Sequence, residues 1–388
     1  MVIKPRVLTP GPTGLLPEAQ LAQAAASMHH RTDAFIELFK KVREGLKHFF
    51  QTKRDVLVFS SSGSGGLEAC VVNLVRPGDE VICVNGGKFG ERWTKMNRVY
   101  GAKVTELKVE NGKAVRVDDV KKALDTSPKC RAIFVQGSES STATLHPVRE
   151  IAKLTRDREC AICVDAITWL GAHEVKTDDW GLDLVVCGSQ KALAMPPGLA
   201  FVSISEKAEK LMQGVSTPRY YFDFAREQKA QKEFQTAFTP AISLVAACAA
   251  SLDWVQGMGV DALARNAGVL ASMTRAAMQE IGLKPFSDAP ADSVTAVVAP
   301  EKLGSGKIIK LMKQRHGAII ADGQDDLKNR MFRLAHLGYY DYMEALGLIG
   351  ALEDVLLTLG EKFEAGKAIA AAQREYRKLT TANQERQP

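Results

Sequence analysis

From about residue 55 to 205 the chain alternates short runs rich in apolar and β-branched residues with stretches whose apolar positions recur three and four apart. The runs Asp55–Phe59, Glu80–Val84, Lys103–Leu107, Ala132–Val135, Ala161–Val164, Leu184–Cys187 and Leu199–Ser203 are continuous rather than alternating. Such runs predict strands buried on both faces, the habit of a mostly parallel sheet. Leu67–Val75 and Pro147–Thr155 read as helices between them. The segment therefore predicts βαβ units and a doubly wound α/β fold. Ahead of it, Phe35, Phe39, Val42, Leu46 and Phe49 recur at helical spacing and predict an amphipathic helix packed on the core.

Beyond Thr239-Pro240 a long helical stretch runs from Ile242 to about Ile281. Alternation then resumes, with strand Val294–Val298, helix Lys307–His316, strands Ala318–Ile320 and Met331–Ala335, and helix Tyr342–Leu359. A chain of 388 residues outgrows one simple core. The expected organisation is an N-terminal arm (1–15), a large sheet domain (16–254), a smaller α/β C-terminal domain (255–375) and a polar tail (376–388). The tail is expected to fray from Thr380.

Composition adds little that changes this picture. The formal charge of +6 is spread along the chain without a basic run, which argues for small anionic substrates rather than nucleic acid. No window approaches the roughly 18 apolar residues of a membrane span. The first residues lack the charged-then-apolar pattern of a signal peptide, so the expectation is a cytoplasmic protein without a membrane partner. The seven cysteines fall mostly in apolar runs, where cysteine acts as a small hydrophobe. Cys160-Ala-Ile-Cys163 has metal-like spacing. On a strand, however, residues three apart face opposite sides, and no second pair follows, so no metal is expected.

The chemistry begins at Lys191. It stands in Asp183-Leu-Val-Val-Cys-Gly-Ser-Gln-Lys-Ala-Leu-Ala-Met-Pro-Pro-Gly198, just past a buried strand. Desolvation there disfavours the ammonium and leaves the neutral amine that Schiff-base chemistry requires. A plain surface lysine at a strand end fits this string alone equally well. Ser60-Ser-Ser-Gly-Ser-Gly-Gly66 follows a strand and opens a helix, placing free N–H groups, hydroxyls and a helix N-terminus around an anion. It lacks the Gly-Lys-Ser/Thr of a nucleoside triphosphate loop. Leu303-Gly-Ser-Gly-Lys307 reads as an ordinary helix start. Asp165 closes the strand Ala161–Val164, 26 residues before Lys191. It can cap the next helix, or serve as the ionised partner of a cofactor's ring nitrogen.

These residues carry a resemblance. Gly188-Ser-Gln-Lys-Ala-Leu with Met195-Pro-Pro-Gly resembles the lysine motif of the class V aminotransferases, closest to the alanine–glyoxylate and serine–pyruvate branch. The similarity reaches cyanobacterial sequences named as a soluble hydrogenase subunit. It also takes in Thr9-Pro-Gly-Pro-Thr13, Ser62-Gly-Ser-Gly-Gly-Leu-Glu-Ala69, Asn85-Gly-Gly-Lys-Phe-Gly90, Glu139-Ser-Ser-Thr142, Val164-Asp165, Phe238-Thr-Pro-Ala-Ile242 and Met331-Phe-Arg-Leu-Ala-His-Leu-Gly338. The family's fold is the type I fold of pyridoxal-phosphate-dependent transferases.

The resemblance implies pyridoxal 5'-phosphate bound covalently at Lys191, with Asp165 on its ring nitrogen. Ser62, Gly63, Ser64 and Gln190 would hold the phosphate. Phe89 would stack on the ring where the family often has Trp, Ile167 would pack on the other face, and Ser140 would bond near the ring hydroxyl. Arg333 would take the substrate carboxylate, with Gly11 beside it. The family's active sites are shared across a homodimer. The positions at which animal enzymes reach the neighbouring phosphate read Gln235 and Phe238 here, so Gln235 and Thr239 become the candidate contacts.

His30-Arg31 resembles a pair that phosphoserine aminotransferases use for a second anionic group. It reads equally as charge at a helix start before Thr32-Asp33. The expected reaction moves an amino group from alanine or serine to glyoxylate or pyruvate. Aspartate or phosphoserine is the alternative if His30 and Arg31 face the site. Cysteine desulfurase chemistry needs a late nucleophilic cysteine, and none follows Cys248. A non-catalytic partner subunit is the reading from another class, and the intact set of Lys191, Asp165 and Arg333 argues against it.

Overall fold

The computed structural model describes residues 2–25 and 28–384. Seven strands form the main sheet: β1 (Val56–Phe59), β2 (Glu80–Asn85), β3 (Lys103–Lys108), β4 (Ala132–Gln136), β5 (Ala161–Asp165), β6 (Leu184–Gly188) and β7 (Ala200–Ile204). Their spatial order is β1-β7-β6-β5-β4-β2-β3. β7 runs antiparallel to both β1 and β6, and the other neighbours are parallel. The chain moves outward from β2 to β3, then returns to the other side of β2 as β4. That reversal opens a crevice at the carboxyl ends of the strands, where ligands of open α/β sheets bind.

Both faces of the sheet are covered, as continuous apolar runs require. On one face Ile133, Val135, Ile162, Val164 and Val185 join Phe35, Phe39, Val42, Leu46 and Phe49 of helix α1 (Asp33–Phe50). On the other, Phe134, Cys163 and Val186 meet helices α2 (Gly63–Leu74) and α3 (Lys88–Val99). One strand departs from expectation. Lys103–Lys108 is an edge strand whose residues are exposed or half-buried. Its lysines and Glu106 guard an edge that would otherwise invite pairing.

The stretch expected as one helix from Ile242 is two, α4 (Ile242–Met258) and α5 (Val260–Glu280), bent by 82°. The break is Gly259, whose φ of +86° lies in a region closed to a helix and open to glycine. A smaller antiparallel sheet follows, with strands β8 (Val294–Val298), β9 (Ala321–Asp322) and β10 (Met331–Ala335) in the order β8-β10-β9. Helix α6 (Gly304–His316) starts within the Leu303–Lys307 glycine cluster, as an ordinary helix start should. The strand expected at Ala318–Ile320 is only Ala318–Ile319, and it pairs with Arg6–Val7 of the arm. Two-residue pairing so far apart in sequence leaves no local signal.

At the C-terminus α7 (Tyr342–Thr358) is followed by α8 (Lys367–Gln384), which packs along α5. The tail expected to fray from Thr380 is thus helical to Gln384. Ala368, Ala371 and Ala372 are buried, and small side chains let this polar helix approach α5 closely. All seven cysteines are free and buried. Among the described residues no cluster could hold a metal ion, and no single helix is long and apolar enough to cross a membrane.

Candidate active site

Lys191 follows β6 by three residues and lies at the crevice, only 8% exposed. Its Nζ donates to the carbonyl of Pro10 at 2.6 Å. The arm also grips the lysine's main chain: Thr13 Oγ1 donates to the Lys191 carbonyl at 2.9 Å, and Thr13 N donates to the Gln190 carbonyl at 3.1 Å. Gly11 is obligatory here. Its φ is +136°, and a Cβ would stand 2.0 Å from Lys191 Nζ. Burial pulls the amine down to about 8, against partial support from Asp165 and further depression by Arg333 and Arg92. The amine is therefore available in its neutral, nucleophilic form near neutral pH.

Asp165 is the last residue of β5 and is 4% exposed. Its Oδ1 accepts one hydrogen bond, from Ile167 N at 3.0 Å. Burial pushes its carboxyl up to about 6; the Ile167 bond opposes this, Glu139 adds to it, and Arg92 and Lys191 oppose it. Among the described residues no salt bridge joins Asp165, Lys191 or Arg333 to any other group.

The Ser60–Gly66 segment passes from β1 directly into α2, with Ser62 at the N-cap. The Ser62 hydroxyl makes no capping bond, which leaves it and the first helical N–H groups for an anion. A Cβ on Gly63 would stand 2.4 Å from Ile167 Cδ1, so this glycine lets the two segments close on each other. Ser64 Oγ accepts from Arg92 Nη1 at 2.7 Å, and the Arg92 guanidinium lies 4.9 Å from the Phe89 ring centroid. Gln190 Oε1 is buried without a partner.

Phe89 sits on the first turn of α3, which is fixed by Glu139. One Glu139 oxygen accepts Phe89 N and Gly90 N, each at 3.0 Å. The other accepts Ser141 N at 3.1 Å and Ser141 Oγ at 2.5 Å. Burial still raises its pKa. Arg333, 6% exposed on β10, donates from Nε to the Asp322 carbonyl and from Nη1 to the Ser140 carbonyl, both at 2.9 Å. Nη2 has no acceptor among the described residues. Both bonds go to neutral carbonyls, so the guanidinium keeps its charge and an open corner for a carboxylate.

The chain thus brings together Lys191, Asp165, Gly11, Ile167, Gln190, Ser62, Gly63, Ser64, Phe89, Ser140 and Arg333. His30, Arg31, Gln235 and Thr239 make no such contacts with the buried groups, although Ala241 N, two residues past Thr239, donates to Ser60 Oγ at 2.9 Å. Arg31 Nη1 donates to Gln235 Oε1 at 2.8 Å on the surface, and Thr239 is exposed. Among the described residues no hydrogen bond or ion pair joins these four to Lys191, Asp165 or Arg333. Sequence reasoning did not single out Arg92, Glu139 or Thr13 for these roles. Arg92 had a usable signal, since it lies three residues beyond Phe89 on the same helix face. The Glu139 and Thr13 contacts span loops and carry none.

These groups fit pyridoxal phosphate. A buried amine, a buried carboxylate without a counter-ion, an unused N-cap hydroxyl and an orphaned Gln190 oxygen all border one crevice. Comparison with known proteins agrees. Residues 17–336 match the family model described as aminotransferase class-V. The chain is 36% identical to a soluble hydrogenase 42 kDa subunit of Anabaena cylindrica, over 95% of this chain and 98% of that one. It is 29% identical to an L-aspartate–glyoxylate aminotransferase of Paracoccus denitrificans, over 98% of each chain. Among solved structures, an aspartate aminotransferase of Thermus thermophilus superposes with a TM-score of 0.85 at 36% identity, covering 91% of this chain and 99% of its own. With that family model matching most of its length, the chain belongs to the class-V aminotransferases, transaminases that work with pyridoxal phosphate.

Proposed function

We propose that this protein moves the amino group of a small amino acid, alanine or serine, to glyoxylate or pyruvate. The carrying observation is that Lys191, Asp165 and Arg333 are buried around one crevice without salt-bridge partners among the described residues. Buried charges of this kind require complementary charges from ligands. Pyridoxal phosphate, when bound, supplies an electrophilic carbonyl and a ring that accepts an electron pair.

The chain's own groups do the rest. Arg333 takes the α-carboxylate and fixes the orientation of the bond to be broken. Lys191 Nζ, neutral over an accessible pH range, removes the α-proton and returns it as general base and acid. Asp165 would hold positive charge at the ring nitrogen of the bound cofactor. Ser62, Gly63, Ser64 and Gln190 would receive its phosphate, and Phe89 would offer its ring an aromatic face. With Arg333 as the clamp for one carboxylate, small donors fit best.

Aspartate as donor is the second reading. The names of the Paracoccus and Thermus proteins favour it, as does the guanidinium of Arg31, whose side-chain partner among the described residues is the neutral Gln235. It requires a homodimer in which Arg31, with His30, faces the neighbouring site, and Gln235 and Thr239 approach its phosphate. Exposed Tyr220 and Tyr221, clustered with Phe238 beside Gln235, support such an interface. A cytoplasmic location belongs to the same reading. The test is the visible absorption of the loaded protein on adding alanine, serine, aspartate or phosphoserine separately. Bleaching by alanine or serine is expected. Bleaching by aspartate alone would install the second reading, and bleaching by none would refute both.

A further inference from the structure

Gln136 is the last residue of β4, and its register partner on β5 is Asp165. Register partners on neighbouring strands lie about 4.8 Å apart and point to the same face of the sheet. Here that face is the one covered by α3. Two residues earlier Phe134 and Cys163 are also partners, and the Phe134 ring packs 4.8 Å from Trp93. Gln136 is completely buried, and neither Nε2 nor Oε1 has a hydrogen-bond partner. The oxygen lies against the first turn of α3, where a Cβ on Gly90 would come within 3.1 Å of it.

An amide with both ends bare is an expensive occupant for a helix–sheet interface, and a leucine or methionine would fill the same volume without that cost. The bare amide points to a partner that the single chain leaves unengaged. Asp165 is the neighbour with spare capacity. Its carboxylate takes one hydrogen bond, from Ile167 N, and no other among the described residues. A carboxylate facing a cofactor ring must be held in one orientation and kept ionised. A neutral donor does both without cancelling the negative charge, as a lysine or arginine at position 136 would.

We propose that Gln136 is a positioning residue for Asp165, its Nε2–H donating to that carboxylate when the cofactor crevice is filled. The inference rests on the pyridoxal phosphate reading of the site. The three torsions of the glutamine side chain allow the amide to swing from the α3 side toward its register partner. Gln136 touches no substrate in this account and acts only through Asp165.

The test is a double-mutant cycle of Gln136→Met with Asp165→Asn. It is read as the dissociation constant of added pyridoxal phosphate from the apoprotein, by quenching of protein fluorescence, alongside the apoprotein melting temperature. A hydrogen bond to a charged group predicts about tenfold to hundredfold weaker binding for Q136M in the wild-type background. In the D165N background the same substitution should change binding less than about threefold, because the effect travels through the carboxylate. The Q136M apoprotein should melt at or above the wild-type temperature, since no bond is lost. Equal weakening in both backgrounds, or none in either, would overturn the proposal. A lowered melting temperature with unchanged binding would reduce Gln136 to a packing residue. A wild-type chain that takes up no pyridoxal phosphate would refute the cofactor reading itself, a failure distinct from these.

Discussion

Replacing Asp165 by Asn should make the apoprotein more stable while disabling it. Asp165 is 4% exposed and its carboxyl is raised from 3.8 to about 6, with burial the largest cause. A group whose folded pKa lies above its unfolded value gives stability that is complete below the unfolded pKa and lost as pH rises through the folded one. Ionised Asp165 therefore costs the apoprotein stability above pH about 6. A shift of about two units corresponds to about 3 kcal/mol, at about 1.4 kcal/mol per unit. Asparagine keeps the acceptor for Ile167 N and removes the charge. At roughly 2 cal/mol/K per residue, the unfolding entropy of a chain of this length turns 3 kcal/mol into a melting shift of about 4 °C. The assay is calorimetric or fluorescence melting of cofactor-free wild type and D165N between pH 5 and 8. The D165N advantage should be fully present at pH 7.5 and shrink as pH falls through about 6. A variant that melts at or below wild type at pH 7.5 would refute the claim that burial of this charge outweighs its local hydrogen bond.

Further outcomes follow from the same geometry. In apoprotein, acylation of Lys191 by a small anhydride, followed by peptide mass, should rise with pH through about 8, the value to which burial lowers it. A midpoint near 10, as for surface lysines, would contradict the buried setting. Glu139→Gln replaces one carboxylate oxygen by a donor facing N–H groups that need acceptors, and should destabilise the fold by about 2–4 kcal/mol. It should also weaken cofactor binding by loosening Phe89; unchanged melting and affinity would show that the α3 start does not depend on this carboxylate. Arg333→Lys loses the fork that grips a carboxylate and should raise KM for the amino donor about tenfold to hundredfold, with a smaller effect on kcat. An unchanged KM in steady-state assays would move the carboxylate site elsewhere.

Local chemistry made much of this protein legible in its sequence. Continuous apolar runs dictated a sheet covered on both sides, because nothing polar interrupts Ala132–Val135, Ala161–Val164 or Leu184–Cys187. Strand ends then marked Asp165 and Lys191, and a serine–glycine cluster before a helix marked an anion site. What escaped depends on contacts between distant segments. Lys103–Leu107 reads as a buried strand until the strand order puts it at an edge. The pairing of Arg6–Val7 with Ala318–Ile319 and the grip of Pro10 and Thr13 on Lys191 join residues far apart in sequence, with no periodicity to announce them. Glu139 entered only as part of a motif shared with the family, without a role, yet its four hydrogen bonds orient the helix that carries Phe89. The sequence by itself determined which side chains are candidates for the chemistry, since residue type and the residues adjacent to it set reactivity. The tertiary structure alone decided how each is aimed and charged, because burial, register and the desolvation of Asp165 and Lys191 are properties of the assembled chain.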